Sequence, residues 1–227
     1  MKTFYELQEG LNDPNIFKAF FLAGGPGSGK SYVVRKTTGG TGLRVINSDP
    51  AFEKLLNDAG LSMKMPKDET EARDAVRKRA KELTKKIGRN YMEGRIGLII
   101  DGTGKKYDSI AKQKAELESL GYDCYMIFVN TSIDVALQRN TKRDRVVPES
   151  IVISSWKAVQ SNIGKFNNLF KNGMIIVDNN KTDEDVEMMT FKRVKALLKN
   201  KVTNRRAKQW VEMEMQRRGI TKKPKGF

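Results

Sequence analysis

The chain has 227 residues, of which 38% are hydrophobic and 31% charged, and its formal net charge is +16. This length suffices for one domain with a sizeable core and an appendage, and no apolar stretch approaches the roughly 20 residues that a membrane span needs. The sequence contains no histidine, which excludes Ser-His and Cys-His nucleophilic catalysis and histidine metal sites. We therefore expect any general base to be a carboxylate or a lysine.

The N-terminal residues 1–18 predict a helical extension. Phe4, Leu7 and Leu11 recur at spacings of three and four, which favours a short amphipathic helix packed on the domain over a detachable targeting or docking segment. The segment lacks the basic start and the continuous apolar centre of a signal peptide. Together with a single cysteine, Cys124, which excludes an intramolecular disulfide, this pattern predicts a cytoplasmic protein.

Five apolar runs predict the strands of a buried sheet. They cover residues 19–23, 43–47, 96–101, 124–129 and 174–178. Helical patterns separate the runs, with a long one between Ala72 and Tyr91 and shorter ones at 107–119 and 132–139. Alternating strands and helices predict an α/β fold of three layers around a five-stranded parallel sheet, spanning residues 19–200. Residues 51–95 would form a helical insert that binds the substrate.

A glycine-rich loop follows the first run, in the stretch AGGPGSGKSY (residues 23–32). It satisfies the pattern G-x-x-x-x-G-K-[ST] with Gly24, Gly29, Lys30 and Ser31. Glycines allow backbone N–H groups to converge on phosphate oxygens, and the helix that starts near Lys30 adds the positive end of its dipole. Lys30 would reach the β- and γ-phosphates, and the Ser31 hydroxyl would ligate Mg²⁺. The stretch therefore predicts a P-loop NTPase fold, with ATP bound by Gly25, Pro26, Gly27, Ser28, Gly29, Lys30 and Ser31.

Two aspartates follow the next two predicted strands. Because ligands of open parallel sheets bind at the carboxyl ends of the strands, Asp49 in VINSDPAFEKLL would lie beside the phosphate loop and could accept a proton from an attacking hydroxyl. The alternative is that Ser48 or Asp49 only caps a helix that begins at Pro50. Asp101, which ends the run IGLIIDGTG, is well placed to order the magnesium shell, and a plain strand-end turn is its alternative.

A basic loop follows the fourth predicted strand and its helix, in LQRNTKRDRVVP. Its cations are Arg139, Lys142, Arg143 and Arg145. Such a loop can close over ATP as a lid, with Arg139 and Arg143 stabilising the charge on the transferring phosphoryl and Arg139 also binding ATP. Arg139 and Arg143 are four apart, so both would point to one side if the helix continued. Considered alone, the charge run is also typical of a solvated surface.

These segments, GGPGSGKS, NSDPAFEKLL, IDGTG and RNTKRDRVVPESI, resemble P-loop kinases of the polynucleotide kinase and zeta toxin-like group over residues 19–178. The resemblance implies that Asp49 is the general base and that Arg139 to Arg145 form the lid. The sequence departs from relatives that bind nucleotide phosphates, which often carry an arginine three or four residues after the base. Phe52 and Glu53 occupy those positions here, so the substrate contacts do not carry over.

A GTPase is a competing interpretation. Asp101 to Gly104 satisfies D-x-x-G, and Asn180 to Asp183 satisfies N-K-x-D, the two elements with which small GTPases read the γ-phosphate and the guanine. No S-A-K sequence follows, and a long charged helix separates the phosphate loop from Asp101. We therefore predict that Asn180 to Asp183 forms a turn and the N-cap of a helix that begins near Asp183.

The positive charge is concentrated at the C-terminus, where residues 201–227 would form a basic helix and tail. Residues 192–227 contain 13 lysines and arginines against two glutamates, which leaves a net charge of only +5 for the first 191 residues. Such a field favours nucleic acid or another polyanion, although a solvated tail would have the same composition. The helix Asn204–Arg218 carries Ala207, Trp210, Val211 and Met215 on one face. That face indicates packing more than base stacking by Trp210, and the final TKKPKGF is expected to be disordered.

The sequence as a whole predicts an ATP- and Mg²⁺-dependent kinase in which Lys30, Asp49, Arg139 and Arg143 are catalytic and Ser31 and Asp101 serve the metal. The preferred acceptor is nucleic acid, either a 5′-hydroxyl or a hydroxymethylated base, because of the basic C-terminal segment. A sugar nucleotide or another small hydroxyl compound, as for a zeta toxin-like kinase, is the main alternative. A non-catalytic ATP-binding scaffold is the third.

Overall fold

The structure is a computed structural model that describes residues 10–64, 66–142, 146–181, 183–224 and 226–227. Five strands form one sheet: β1 (Lys18–Ala23), β2 (Arg44–Ile46), β3 (Leu98–Ile100), β4 (Asp123–Asn130) and β5 (Met174–Asp178). Their order is β2-β3-β1-β4-β5, and every neighbouring pair is parallel. The predicted five-stranded parallel sheet is therefore confirmed, with every strand inside or within one residue of its apolar run.

Helices connect the strands. In the described part of the chain they are α1 (Lys30–Thr38), α2 (Asp49–Asp58), α3 (Thr70–Glu93), α4 (Tyr107–Ser119), α5 (Ile133–Thr141), α6 (Glu149–Gln160), α7 (Ile163–Phe170), α8 (Glu184–Lys199) and α9 (Arg205–Arg218). The α/β three-layer fold is confirmed. None of these helices is long and apolar enough to cross a bilayer.

The core lies on both faces of the sheet because successive side chains of a strand point to opposite sides. On one face, β-strand residues pack with Val33 and Val34 of α1 and Val194 of α8. On the other face they pack with side chains of α4, α7 and α9, including Leu117 and Phe166. A third, smaller cluster joins α2 to α3 beyond the sheet edge. The helical insert therefore stands beside β2, at one flank of the sheet.

The C-terminal helix packs under the amino ends of the strands. Ala207, Val211 and Met215 are buried, as the helical pattern predicted. The Trp210 ring meets Phe17, the residue before β1, edge-on at a centroid distance of 5.5 Å. Trp210 is partly buried and belongs to this packing, as its helical face indicated.

The end of the chain is also packed, which corrects the expectation that TKKPKGF is disordered. The Phe227 ring contacts Phe17 at 6.0 Å, and Val202 N donates to Gly226 O at 2.9 Å. The reason is that a terminal phenylalanine can add its ring to the same apolar surface that receives α9.

At the other terminus, the first half of the predicted extension, residues 1–9 with Phe4 and Leu7, lies outside the described residues. Leu11 is described, and it is buried within a 3₁₀ turn, Gly10–Asn12. The proposed division at residues 18 and 200 stays a prediction.

Candidate active site

The phosphate loop joins β1 to α1 at the carboxyl edge of the sheet, as predicted. Gly27 has a φ of +79°, and a Cβ on it would lie 2.1 Å from the carbonyl oxygen of Ala136 in α5. Gly29 has a φ of +80°, and its Cβ would lie 2.4 Å from Asn179 Nδ2. Both positions therefore need glycine for the backbone conformation and for the close approach of neighbouring elements. Between them, the buried Ser28 donates its backbone N–H to Gly25 O at 3.1 Å.

Polar groups of the loop indicate a phosphate-binding function. The Ser28 hydroxyl oxygen is buried and has no hydrogen-bond partner among the described residues, an arrangement that costs free energy in the absence of a ligand. Lys30 Nζ donates to Gly24 O at 2.6 Å, so its ammonium group lies over the loop. The loop and the first turn of α1 are a suitable anion site, because backbone N–H groups and the helix dipole act together there.

Arg139 is held next to the loop through a residue that the sequence analysis missed. Asn179, directly after β5, donates from its amide nitrogen to Ser28 O at 2.8 Å and accepts at its backbone carbonyl from Arg139 Nη1 at 2.7 Å. Its backbone N–H donates to Asn130 O at the end of β4 at 2.9 Å. Asn179 therefore links the ends of β4 and β5 to the phosphate loop and to the arginine. The only sequence signal for it is its position after an apolar strand.

The lid prediction is only partly described by the structure. Arg139 lies in the last turn of α5, which ends at Thr141 with Lys142 as its C-cap. Arg143 and Arg145 lie outside the described residues.

Helix α6 also approaches the phosphate loop, and its Trp156 Nε1 donates to Thr131 O, just after β4, at 2.7 Å. A Cβ on Gly25 would come within 3.6 Å of the Trp156 Cα, so the loop and α6 are in contact.

The two predicted aspartates lie together on the opposite side of the loop, where β2 and β3 end. Asn47 connects them: its Nδ2 donates to Asp101 Oδ2 at 2.8 Å, and its Oδ1 accepts from the backbone N–H of Asp49 at 2.8 Å. Ser48 occupies the N-cap position of α2, but its side chain makes no capping hydrogen bond. Nothing in the sequence indicated that Asn47 would join the carboxylate of Asp101 to the backbone of Asp49.

The electrostatics of Asp101 agree with a site that receives a cation. Burial raises the pKa of Asp101 above its usual value, the nearby Lys30 ammonium lowers it, and the Asp49 carboxylate raises it further. Asp101, Asn47 and Ser31 line the same cleft, which has a volume of about 380 Å³. A hydroxyl and a carboxylate are the hard oxygen donors that Mg²⁺ prefers, and Mg²⁺ completes its shell with substrate phosphates and water. This donor set fits Mg²⁺, and no cluster of three acidic or thiol side chains occurs among the described residues.

Asp49 is contacted by an arginine from a distant part of the sequence. Arg77 in α3 donates from Nη1 to Asp49 Oδ1 at 2.9 Å, and its guanidinium carbon lies 4.3 Å from the centre of the Phe52 ring. The residues three and four positions after Asp49 are Phe52 and Glu53, not arginine. A guanidinium nevertheless reaches Asp49 from another helix. Twenty-eight residues separate the pair, so no local pattern could predict it.

A second cleft opens beside Asp101, between α3, α4 and the ends of β2 and β3, with a volume of about 510 Å³. Its floor is apolar and includes Ile46 and Ile100. Its rim carries five cationic side chains: Lys81, Lys85 and Arg89 from α3, and Lys105 and Lys106 from the segment before α4. The predicted insert therefore supplies one wall of a cationic cleft that opens at the catalytic edge.

The N-K-x-D pattern forms a cap, as predicted. Asp183 is the N-cap of α8 and accepts from the backbone N–H groups of Asp185 and Val186. Asn180 accepts from Ser132 N at 2.7 Å, so it ties the end of β5 to the start of α5. Thr182 lies outside the described residues.

The fold and the phosphate loop together define a P-loop kinase.

A sequence model of the zeta toxin family matches residues 8–187, about four fifths of the chain. The protein belongs to the zeta toxin family, and it is a phosphotransferase of the P-loop kinase class. The resemblance to zeta toxin-like kinases is thereby confirmed. No curated protein sequence matches the chain.

Solved structures with low sequence identity share the fold. The PezAT chromosomal toxin–antitoxin system of Streptococcus pneumoniae contains a chain with 17% identity and a TM-score of 0.56; the alignment covers 86% of this chain and 92% of that one. A protein of Chloroflexus aurantiacus J-10-fl has 14% identity and a TM-score of 0.55, with 80% and 98% covered. A chain of the AvrRxo1-ORF1:ORF2 complex, solved with ATP, has 15% identity and a TM-score of 0.52, with 76% and 61% covered.

Proposed function

We propose that this protein transfers the γ-phosphoryl group of ATP to a hydroxyl of a small anionic molecule, such as a sugar nucleotide. The observation that carries the proposal is the cationic cleft between α3 and α4, which opens next to Asp101 at the same edge as the phosphate loop. An apolar floor with a cationic rim suits a ligand that combines a ring system with phosphate groups.

The donor side would be built from the loop and its neighbours. Residues 25–31 would hold the triphosphate, with Lys30 on the β- and γ-phosphates. Ser31 and Asp101 would hold Mg²⁺, which supplies charge neutralisation of the phosphates when bound. Arg139, next to Gly29, would stabilise the negative charge on the transferring group, and Arg143 is proposed for the same role from the sequence alone.

The acceptor side would lie at the ends of β2 and β3. Asp49 would accept the proton of the acceptor hydroxyl, whose oxygen forms a bond to the γ-phosphorus while the bond from that phosphorus to the β–γ bridging oxygen breaks. ADP leaves with the bridging oxygen, and the acceptor leaves as a phosphate monoester. The proton on Asp49 then passes to water.

The proposal is tested by a transfer assay with γ-labelled ATP against sugar nucleotides, small phosphorylated alcohols, 5′-hydroxyl oligonucleotides and hydroxymethylated DNA. We expect label on a small anionic acceptor. Asp49→Asn should reduce that transfer by about 10²- to 10⁴-fold and leave ATP binding intact. Asp58→Asn, at the exposed end of the same helix, is the matched control and should be neutral. Full transfer by Asp49→Asn would contradict the role of Asp49 as the base. No transfer to any hydroxyl would contradict the proposed activity and favour an ATP-binding scaffold.

A hydroxyl of nucleic acid is the second candidate, because the same cationic rim would also hold the phosphates of a strand. The basic C-terminal helix gives this candidate less support than the sequence suggested. It lies under the amino ends of the strands, about 20 Å from the phosphate loop by the length of β1. A strand bound on α9 would therefore need to extend around the protein to reach the site.

The contribution of the C-terminal segment is tested with Lys201, Arg205 and Lys208, which are exposed. Their combined change to glutamine should leave transfer to a small acceptor unchanged. If nucleic acid is the substrate and binds through this segment, the same variant should weaken oligonucleotide binding and reduce its salt dependence by up to about three units of slope. Label on oligonucleotides alone would replace the first candidate with the second.

A further inference from the structure

Arg77 contacts the proposed base and lies one helical turn before Lys81, which lines the proposed acceptor cleft. Its Nη1 donates to Asp49 Oδ1 at 2.9 Å. A guanidinium carries five N–H donors, and this hydrogen bond uses one of them. About a third of the Arg77 side chain is exposed. The guanidinium therefore has further donors available to a second anionic group next to Asp49.

The position of Arg77 is rigid, which suits a group that orients a ligand. The guanidinium carbon lies 4.3 Å from the centre of the Phe52 ring, and Phe52 itself is buried at 2% exposure. Phe52, Leu56 and Ala80 form the small apolar cluster that joins α2 to α3. Arg77 is thus held between a carboxylate and an aromatic face on two packed helices, where its planar group loses little additional freedom on binding.

The cations of α3 continue from Arg77 along the cleft. Lys81 and Lys85 follow at intervals of four residues, so the three side chains lie on one side of the helix, about 6 Å apart along its axis. Lys81 and Lys85 line the cleft. Arg77 is the first cation of this row and the one in contact with Asp49.

We propose that Arg77 binds an anionic group of the acceptor, a phosphate or carboxylate close to the reacting hydroxyl, and so determines which alcohols present that hydroxyl to Asp49. The inference rests on the proposed function and deepens it. The ligand class is an alcohol with a phosphate or carboxylate near its hydroxyl. Neutral alcohols lack the group that Arg77 holds and are poor acceptors.

The first test uses Arg77→Met, which removes the charge but keeps an unbranched stem against Phe52, with Arg79→Met as the matched control. Arg79 is exposed on the same helix, two residues further along. Arg77→Met should raise KM for the acceptor by about 10- to 100-fold while KM for ATP and the thermal midpoint change little. Arg77→Lys should recover only part of the loss, because a lysine lacks the planar fork. Arg79→Met should behave as the wild type.

The second test does not depend on transfer. Calorimetry measures the binding of inorganic phosphate to protein already saturated with Mg²⁺ and a non-hydrolysable ATP analogue, which occupies the phosphate loop. We expect binding by the wild type and by Arg79→Met, and at least about tenfold weaker binding by Arg77→Met. If phosphate binds in this manner but no hydroxyl is phosphorylated, the proposed function fails and the anion site stands. An unchanged acceptor KM, or phosphate binding that is equal in all variants, would overturn the inference.

Discussion

The carboxamide of Asn47 donates a 2.8 Å hydrogen bond to Asp101 Oδ2, across the carboxyl ends of β2 and β3. The same side chain accepts from the backbone N–H of Asp49. One amide therefore links the Asp101 carboxylate to the backbone of Asp49, the two residues that serve the metal and the base in our proposal. Neither strand is longer than three residues, so this hydrogen bond also ties the short edge of the sheet together.

Asn47→Ala should separate the two carboxylates. We expect kcat to fall by about 10- to 100-fold, because a misplaced group in a phosphoryl-transfer site costs rate more than it costs substrate binding. The free energy of unfolding should fall by about 1–2 kcal/mol, since two hydrogen bonds are lost at a partly buried site. Steady-state kinetics and chemical denaturation measure the two effects. Asn57→Ala, at an exposed position of α2, is the control; equal kinetics in both variants would contradict the positioning role.

The raised pKa of Asp101 predicts a pH-dependent gain in stability for Asp101→Asn. The Asp101 carboxyl holds its proton more tightly in the folded protein than in the unfolded chain. Ionisation of Asp101 at pH 7 therefore destabilises the fold. Without Mg²⁺ and nucleotide, Asp101→Asn should stabilise the protein at pH 7 by about 0.5–2 kcal/mol. The difference should shrink as the pH falls through the raised folded pKa and vanish only below the unfolded-chain pKa of about 3.9, where the carboxyl is protonated in both states.

Thermal unfolding over this pH range checks the prediction, with Asp108→Asn at an exposed position of α4 as the control. The same Asp101→Asn variant should lose most of its Mg²⁺-dependent transfer. A variant that is less stable than the wild type at pH 7 would show that the hydrogen bond from Asn47, and not burial of charge, dominates at this site.

Gly27→Ala should prevent the loop from closing on phosphate. The added Cβ would lie 2.1 Å from Ala136 O, so α5 or the loop must shift, and the positive φ adds further strain. We expect nucleotide binding to be lost in a fluorescence titration. Gly60→Ala is the matched control, because Gly60 also has a positive φ but no atom within 4 Å of the added Cβ. It should cost about 1–2 kcal/mol of stability and leave nucleotide binding unchanged.

Asn179→Ala should uncouple Arg139 from the loop. The substitution removes the donor to Ser28 O within a buried site, which should cost about 1–3 kcal/mol of unfolding free energy. Arg139 keeps its acceptor, the backbone carbonyl of residue 179, but that residue loses its link to the loop. We expect kcat to fall while nucleotide still binds, because Arg139 is then no longer fixed relative to the loop. Asn168→Ala, exposed on α7, should be neutral within about 0.5 kcal/mol. If nucleotide affinity falls in parallel with kcat, Asn179 instead serves the binding of nucleotide in the ground state.

Local patterns in the sequence determined the sheet, the phosphate loop and the class of protein. Five apolar runs correspond to five strands, of which β2, at the edge of the sheet, is largely exposed. The pattern G-x-x-x-x-G-K-[ST] requires only adjacent residues, because its backbone N–H groups converge within one turn. The same holds for the cap at Asp183, where a side chain reaches the backbone two and three residues ahead. In each case the physical cause acts over a few residues, so the sequence displays it.

Contacts between distant residues were decided by the tertiary structure alone. Arg77 meets Asp49 across 28 residues, and Asn179 reaches Ser28 across 151, because strand order brings the ends of β2, β1 and β5 to one edge. The sequence displays the charge of the basic C-terminal helix, which favoured nucleic acid as a partner, but it does not display where the helix lies. Its apolar face instead packs it under the amino ends of the strands, and burial of that face, not the charge, determines where the helix lies.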